Sequence, residues 1–176
     1  MDTTLHLIDQ LIAEHKTLGE RTQALEKTAN DATLLSNLKE AKNVFVLGEG
    51  SHSEDLKKLD QMLLAIDTWL KKHFSREETV LLPAVQKYGN DKLVTALNSL
   101  LFDHTELKDR LLHSRKRVDE LLGGGLSPAQ WDARSSDIRT HLGHTRKLLE
   151  THAAKENHYF NELKRYLKKH SKKKEQ

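Results

Sequence analysis

Four stretches of the chain carry apolar residues at alternating steps of three and four, the spacing that lays a single stripe along an α-helix. The first is Leu5, Ile8, Ile12, His15, Leu18, Thr22 and Leu25, and the second is Leu56, Leu59, Leu63, Ile66, Leu70, His73, Glu77 and Val80. The third runs Leu93, Leu97, Leu100, His104, Leu107, Leu111, Ser114, Val118 and Leu121. The fourth passes from Trp131 through Ser135, Ile138, Leu142, Thr145, Leu149, His152, Glu156, Tyr159 and Leu163 to Tyr166. Helices apolar on one side bury that side against each other, so the pattern predicts an all-α, antiparallel up-down-up-down four-helix bundle.

Local signals mark the boundaries. Ser51 and Glu54 have capping-box spacing, which starts the second helix and carries it to about Tyr88, with Pro83 expected to kink its last turns. Gly89-Asn90 separates it from the third helix, and Gly123-Gly124-Gly125 ends that one. Ser127, Pro128 and Gln130 then supply an N-cap, a first-turn proline and a capping-box partner. A short extra helix with Leu34, Leu35, Leu38 and Ala41 is expected over about 31–46, between the first and second bundle helices, and it carries no functional reading. The bundle is assigned residues 1–167 and a basic tail 168–176.

The composition narrows the function. With no cysteine in 176 residues there is no disulfide framework, zinc ribbon, cysteine nucleophile or thiolate-held cluster. No apolar run approaches membrane-spanning length, and Met-Asp-Thr-Thr lacks the basic-then-apolar order of a secretory signal, so the expected compartment is the cytoplasm, with no membrane partner. The pI near 9.0 suggests nucleic acid, but the positive charge is local. Lys164 to Gln176 holds seven basic residues and one acidic, whereas the rest holds 22 basic and 25 acidic. A solvated helix end accounts for this, and no nucleic-acid partner is expected.

Each stripe contains a histidine, and two of them contain a glutamate four residues later. His73 lies 16 residues before Gly89 and His104 lies 14 after Asn90. At about 1.5 Å per residue both stand roughly 21 to 24 Å from the same turn and so share a layer. The fourth helix must overhang to bring His152 level with His104. The chain also repeats itself: Glu14-His15 with Leu18 and Arg21 matches Asp103-His104 with Leu107 and Arg110, and His73-x3-Glu77 matches His152-x3-Glu156. A pseudo-twofold bundle would gather His15, His73, His104, His152, Glu77 and Glu156. No lysine or arginine lies on any stripe, and an unpaired buried carboxylate costs at least several kcal/mol, so cations are the explanation adopted. Two histidines per ion with both glutamates bridging suits iron, with manganese or zinc as substitutes, better than a closed structural zinc site. The two pairs run His-x3-Glu, the opposite order to the Glu-x2-His of ferritin-like di-iron bundles and at a longer spacing, so that family does not fit.

At these residues the chain resembles the hemerythrin-like family, the HHE cation-binding domains. The resemblance rests on Glu14-His15, on His73-Phe74-Ser75-Arg76-Glu77-Glu78 leading to Leu82-Pro83, on Asp103-His104, and on His152 to Glu156. It implies two iron ions, oxo- or hydroxo-bridged, with His15, His73, His104 and His152 as terminal ligands and Glu77 and Glu156 as bridges. Oxygen-carrying members have a further histidine one turn after the third-helix histidine, where this chain has Lys108, and a differently spaced aspartate in the fourth helix. A symmetric set leaves both irons open and favours redox turnover over simple oxygen transport. The leading expectation is a protein that binds or senses oxygen, nitric oxide or peroxide, with a redox partner. A di-iron redox enzyme, an iron-donating repair protein and a metal-free helical interaction module stay open as alternatives.

Several residues receive smaller roles. His158 and Glu162 repeat the spacing off the inner stripe and are read as a solvated pair, and His6, His52, His113, His141, His144 and His170 as surface or flanking residues. Tyr159 is read as core packing, with a hydrogen-bond donor to the site or a redox-active ring as alternatives, and Trp69, Phe74 and Phe102 as lining of a dry pocket.

Overall fold

The computed structural model describes residues 2–31, 51–123 and 125–171, and among them there is no strand. The helices are α1 (Asp2–Ala29), α2 (Ser51–Arg76), a π-helical turn (Glu77–Leu81), α3 (Leu82–Tyr88), α4 (Asp91–Leu101), α5 (Asp103–Leu122) and α6 (Pro128–Ser171). Because α2 to α3 and α4 to α5 are nearly unbroken, four long helical segments pack as a bundle. The expected helix over about 31–46 lies almost wholly outside the described residues, as does the end of the basic tail. The helix that precedes that tail continues to Ser171. No helix among the described residues is long and apolar enough to cross a membrane.

The ends follow local chemistry. Asn90 caps α4, its Oδ1 accepting the Leu93 N–H at 3.0 Å. The capping box before α6 is formed: the Gln130 N–H donates to Ser127 Oγ at 3.3 Å and the Ser127 N–H to Gln130 Oε1 at 2.8 Å. Gly125, at φ 76°, takes the left-handed conformation that the turn before this cap needs.

One expectation changes at the second helix, which widens just before Pro83. The Leu82 N–H bonds to Glu77 O, five residues back, which inserts one residue into the turn and lets the chain run past a proline that has no N–H to donate. The inserted residue shifts the phase of everything beyond it. Val80, assigned to the inner stripe, is 52% exposed, and Leu81 takes its place at full burial. The third helix is interrupted at Phe102, which is 81% exposed and therefore does not line the pocket. It stands two residues from His104, about 200° around the helix, so it faces away.

The core has two apolar parts. One gathers Leu18, Leu63, Leu70, Phe74, Leu111 and Leu149 with their neighbours, and the other Ile8, Leu11, Leu81, Leu97, Phe160 and Leu163. On every long segment the histidine or histidine–glutamate pair lies in sequence at the junction of these two sets, with Phe74 of the first set inside the His73–Glu77 pair. A polar layer therefore crosses the bundle with apolar packing on either side.

Candidate metal centre

His15, His73, Glu77, His104, His152 and Glu156 are all buried, at 5%, 1%, 0%, 1%, 4% and 0% exposure. All six residues selected by spacing meet in one layer. The imidazole Nε2 atoms point inward. Glu77 turns Oε1 toward His73 Nε2 at 3.2 Å and Oε2 toward His104 Nε2 at 3.2 Å. Glu156 does the same from the opposite side, with Oε2 3.0 Å from His15 Nε2 and Oε1 3.0 Å from His152 Nε2 and 3.6 Å from His104 Nε2. Each carboxylate thus spans two histidine pairs, His15 with His73 and His104 with His152.

These contacts are close, yet none of the four carboxylate oxygens has a hydrogen-bond partner in good geometry, nor do His104 Nε2 and His152 Nε2. His15 Nε2 and His73 Nε2 stand 3.0 Å apart. Lone-pair donors that converge in a buried layer without well-placed protons between them suit cations. Among the described residues two groups have atoms close enough to hold an ion: His15, His73, Glu77 and Glu156, and His104, His152 and Glu156.

The outer nitrogens explain why the rings point this way. His73 Nδ1 is 2.8 Å from Glu14 Oε2, His104 Nδ1 is 2.9 Å from Glu78 Oε1, and His152 Nδ1 is 3.3 Å from Asp103 Oδ2. His15 Nδ1 is 2.8 Å from Asn157 Oδ1. With acceptors at all four Nδ1 atoms, an Nδ1–H donates outward and the Nε2 lone pair faces the layer, the arrangement typical of metal-binding histidines. Cations stand behind the three acids: Arg76 on Glu14, Lys108 on Glu78 at 3.2 Å, and Lys155 on Asp103 at 3.6 Å. Lys108 therefore pairs with the acid behind His104. Of the four acceptors, Glu14 and Asp103 were visible in the repeat and Glu78 in the quoted motif. Asn157 was missed, although alignment of the two His-x3-Glu segments puts it opposite Glu78.

The layer's charge shows in its proton affinities. Burial alone would lower His104, but the carboxylates of Glu156, Glu77 and Glu78 raise it to about 9. Burial works against His73 too, and Glu77 and Glu14 raise it. Burial pushes Glu156 up, and the imidazoles of His104, His15 and His152 outweigh it and hold the carboxyl well below its ordinary value. The raised His73 and His104 oppose the charge of the buried carboxylates when no metal does so.

The surrounding aromatics pack on the ligand rings. Phe74 stacks on His104 with centroids 3.7 Å apart, Trp69 on His73 at 5.1 Å, and Phe160 on His15 at 5.8 Å. Tyr159 is buried, but its hydroxyl donates to Leu93 O at 3.0 Å and so leaves the centre. His158 and Glu162 form an exposed pair at 3.8 Å.

The family model of the hemerythrin HHE cation binding domain matches residues 6–161. A search of curated proteins and a search of solved structures each gave no match.

Proposed function

This chain belongs to the hemerythrin HHE cation-binding family, and from that premise we propose that it holds two iron ions and uses them to bind or sense oxygen, nitric oxide or peroxide. His15 and His73 would hold one ion, His104 and His152 the other, and Glu77 and Glu156 would bridge them. The observation that carries this reading is that each glutamate aims one oxygen at each histidine pair. Bound there, iron would supply one-electron chemistry toward a small ligand. The protein's part is to fix the ligand rings through their Nδ1 contacts, to place two carboxylates in a buried layer, and to keep water out with Phe74, Phe160 and the flanking leucines. With two histidines for each ion and two shared carboxylates, the donor set would leave room for a small ligand at either ion, which favours redox turnover with a partner over simple carriage.

The up-down-up-down order forms part of the proposal. Contacts that run in opposite senses along neighbouring segments support it: Asp60 with Arg115 and Glu78 with Lys108 between the second and third, Arg110 with His141 and Asp103 with His152 between the third and fourth. Asp9 with Lys164 and Glu26 with Arg146 do the same between the first and fourth.

Elemental analysis of protein purified without air, followed by an optical spectrum before and after air exposure, tests the reading. It expects two irons per chain and charge-transfer absorption in the near ultraviolet. Absence of iron after reconstitution would overturn it and leave the metal-free interaction module in front. Steady consumption of peroxide or nitric oxide with a reductant present would make the protein a catalyst, whereas stoichiometric uptake would make it a binder or sensor.

A further inference from the structure

The two hairpins match under an exchange of Glu14 for Asp103, His15 for His104, His73 for His152, Glu77 for Glu156 and Arg76 for Lys155. The contacts match as well, since Glu14 backs His73 as Asp103 backs His152, each with its own cation. Other positions break the exchange, and three of them fall around His15 and its counterpart His104. Glu78 behind His104 becomes Asn157 behind His15, Lys108 becomes Gly19, and Phe74 becomes Ala153.

Together these changes open one side. Around His104, Phe74 stacks on the ring, Lys108 lies 5.5 Å above Phe74, and Lys108 and the ring share Glu78. Around His15, Phe160 covers one face of the ring, but the place matching the Phe74–Lys108 plug is a groove of about 520 Å³ between α1 and α6. Ala13, Lys16, Gly19, Ala153, Ala154 and Asn157 line it and His15 lies at its base. A side chain begun at Gly19 would meet nothing within 4 Å.

Resting on the metal reading above, we infer that the two cation positions differ, and that the His15–His73 position is the weaker and faster-exchanging one, served by the groove between α1 and α6. A carboxylate behind an imidazole raises the ring's basicity toward a metal, and loss of such a partner typically costs 10–100-fold in affinity. The His104–His152 position has two carboxylates behind its rings. The His15–His73 position has one carboxylate and a neutral amide. The groove adds a route for metal and chelator on that same side. Asn157 is a positioning residue in this scheme, because it acts on the metal only through His15.

The test loads the whole chain with Fe2+ without air and follows its removal by a colorimetric Fe2+ chelator, with native mass spectrometry to count metals. Two phases of equal amplitude through a one-iron species are expected. Asn157→Asp should slow the fast phase about tenfold, toward the slow one. Ala153→Phe, with Gly19→Ala as a milder filling of the groove, should slow the fast phase and leave the slow phase unchanged. Glu78→Gln should speed the slow phase. Two irons leaving together in the native protein would overturn this inference alone, as would a fast phase insensitive to both Asn157→Asp and the groove variants. A chain that takes up no iron would overturn the metal reading and this inference with it.

Discussion

The polar layer and the two apolar clusters beside it occupy the same bundle and are equally buried, yet they are held by opposite terms. Leu63 and Leu111 above, and Leu97 and Leu163 below, gain free energy simply by leaving water, about 1.5–3 kcal/mol for each side chain. The layer places two carboxylates and four imidazoles where water cannot reach them, and it is favourable only while protons or metal balance it. The clusters therefore hold the fold together, and the layer makes the fold respond to what occupies it.

Substitutions that separate binding from stability break this comparison most sharply. Glu156→Ala should cut metal uptake by at least a hundredfold, because it removes a donor shared by both positions. Leu63→Ala should lower stability by roughly 2–5 kcal/mol and keep the metal content of the unsubstituted protein. Metal counting alongside denaturant unfolding checks both, and an iron-free Leu63→Ala protein that is still folded would dissolve the distinction.

Changing pH sharpens it next. The raised His73 and His104 contribute stability to the metal-free protein that is complete below their unfolded value of 6.5 and is lost as pH rises through the folded value, about 9 for His104. From His104 this loss is about 3 kcal/mol, or on the order of 5–10 °C in Tm. Glu156 opposes no part of it, since its depressed value confines its loss to acid below 4.5. Metal must displace the imidazole protons, so its affinity should rise over the same window and the loaded protein should keep a flat Tm. Melting curves from pH 6.5 to 9 decide this, and a metal-free Tm that does not fall would mean that the rings are already neutral.

Smaller still are the effects one step outside the layer. Glu14→Gln and Asp103→Asn should each weaken metal binding 10–100-fold with little change in apolar packing, as competition against a chelator would show. Least of all, His158→Ala should leave metal content intact and stability within about 0.5 kcal/mol, because it pairs with the exposed Glu162 outside the layer. Loss of metal there would misplace the inner face of α6.

The sequence made the layer legible because helical periodicity carries side chains inward whatever their polarity. His15, His104 and the two His-x3-Glu pairs kept the beat of the leucines around them, so one rule selected both core and site. That rule fails where the helix changes pitch. Val80 keeps the count and Leu81 keeps the burial, and nothing in the three-four alternation announces a widened turn. Phe102 was misplaced by its chemistry, an apolar ring assumed to seek the interior although its angular position excluded it. Asn157 escaped notice for the converse reason, since an amide on a half-buried face has no pattern until the histidine it meets is in place.

The widened turn at Glu77–Leu81 bears on how such a chain can change over generations. It acts as a joint between two rulers: from Ser51 to Glu77 the helix is measured against the site, and from Leu81 onward against the lower cluster and the turn at Gly89. A residue gained or lost after Glu78 alters the second ruler alone, since Glu77 and Glu78 are the part of the joint that serves the site. That end of the bundle can therefore lengthen, shorten or turn a new face outward while the donor atoms above it keep their aim.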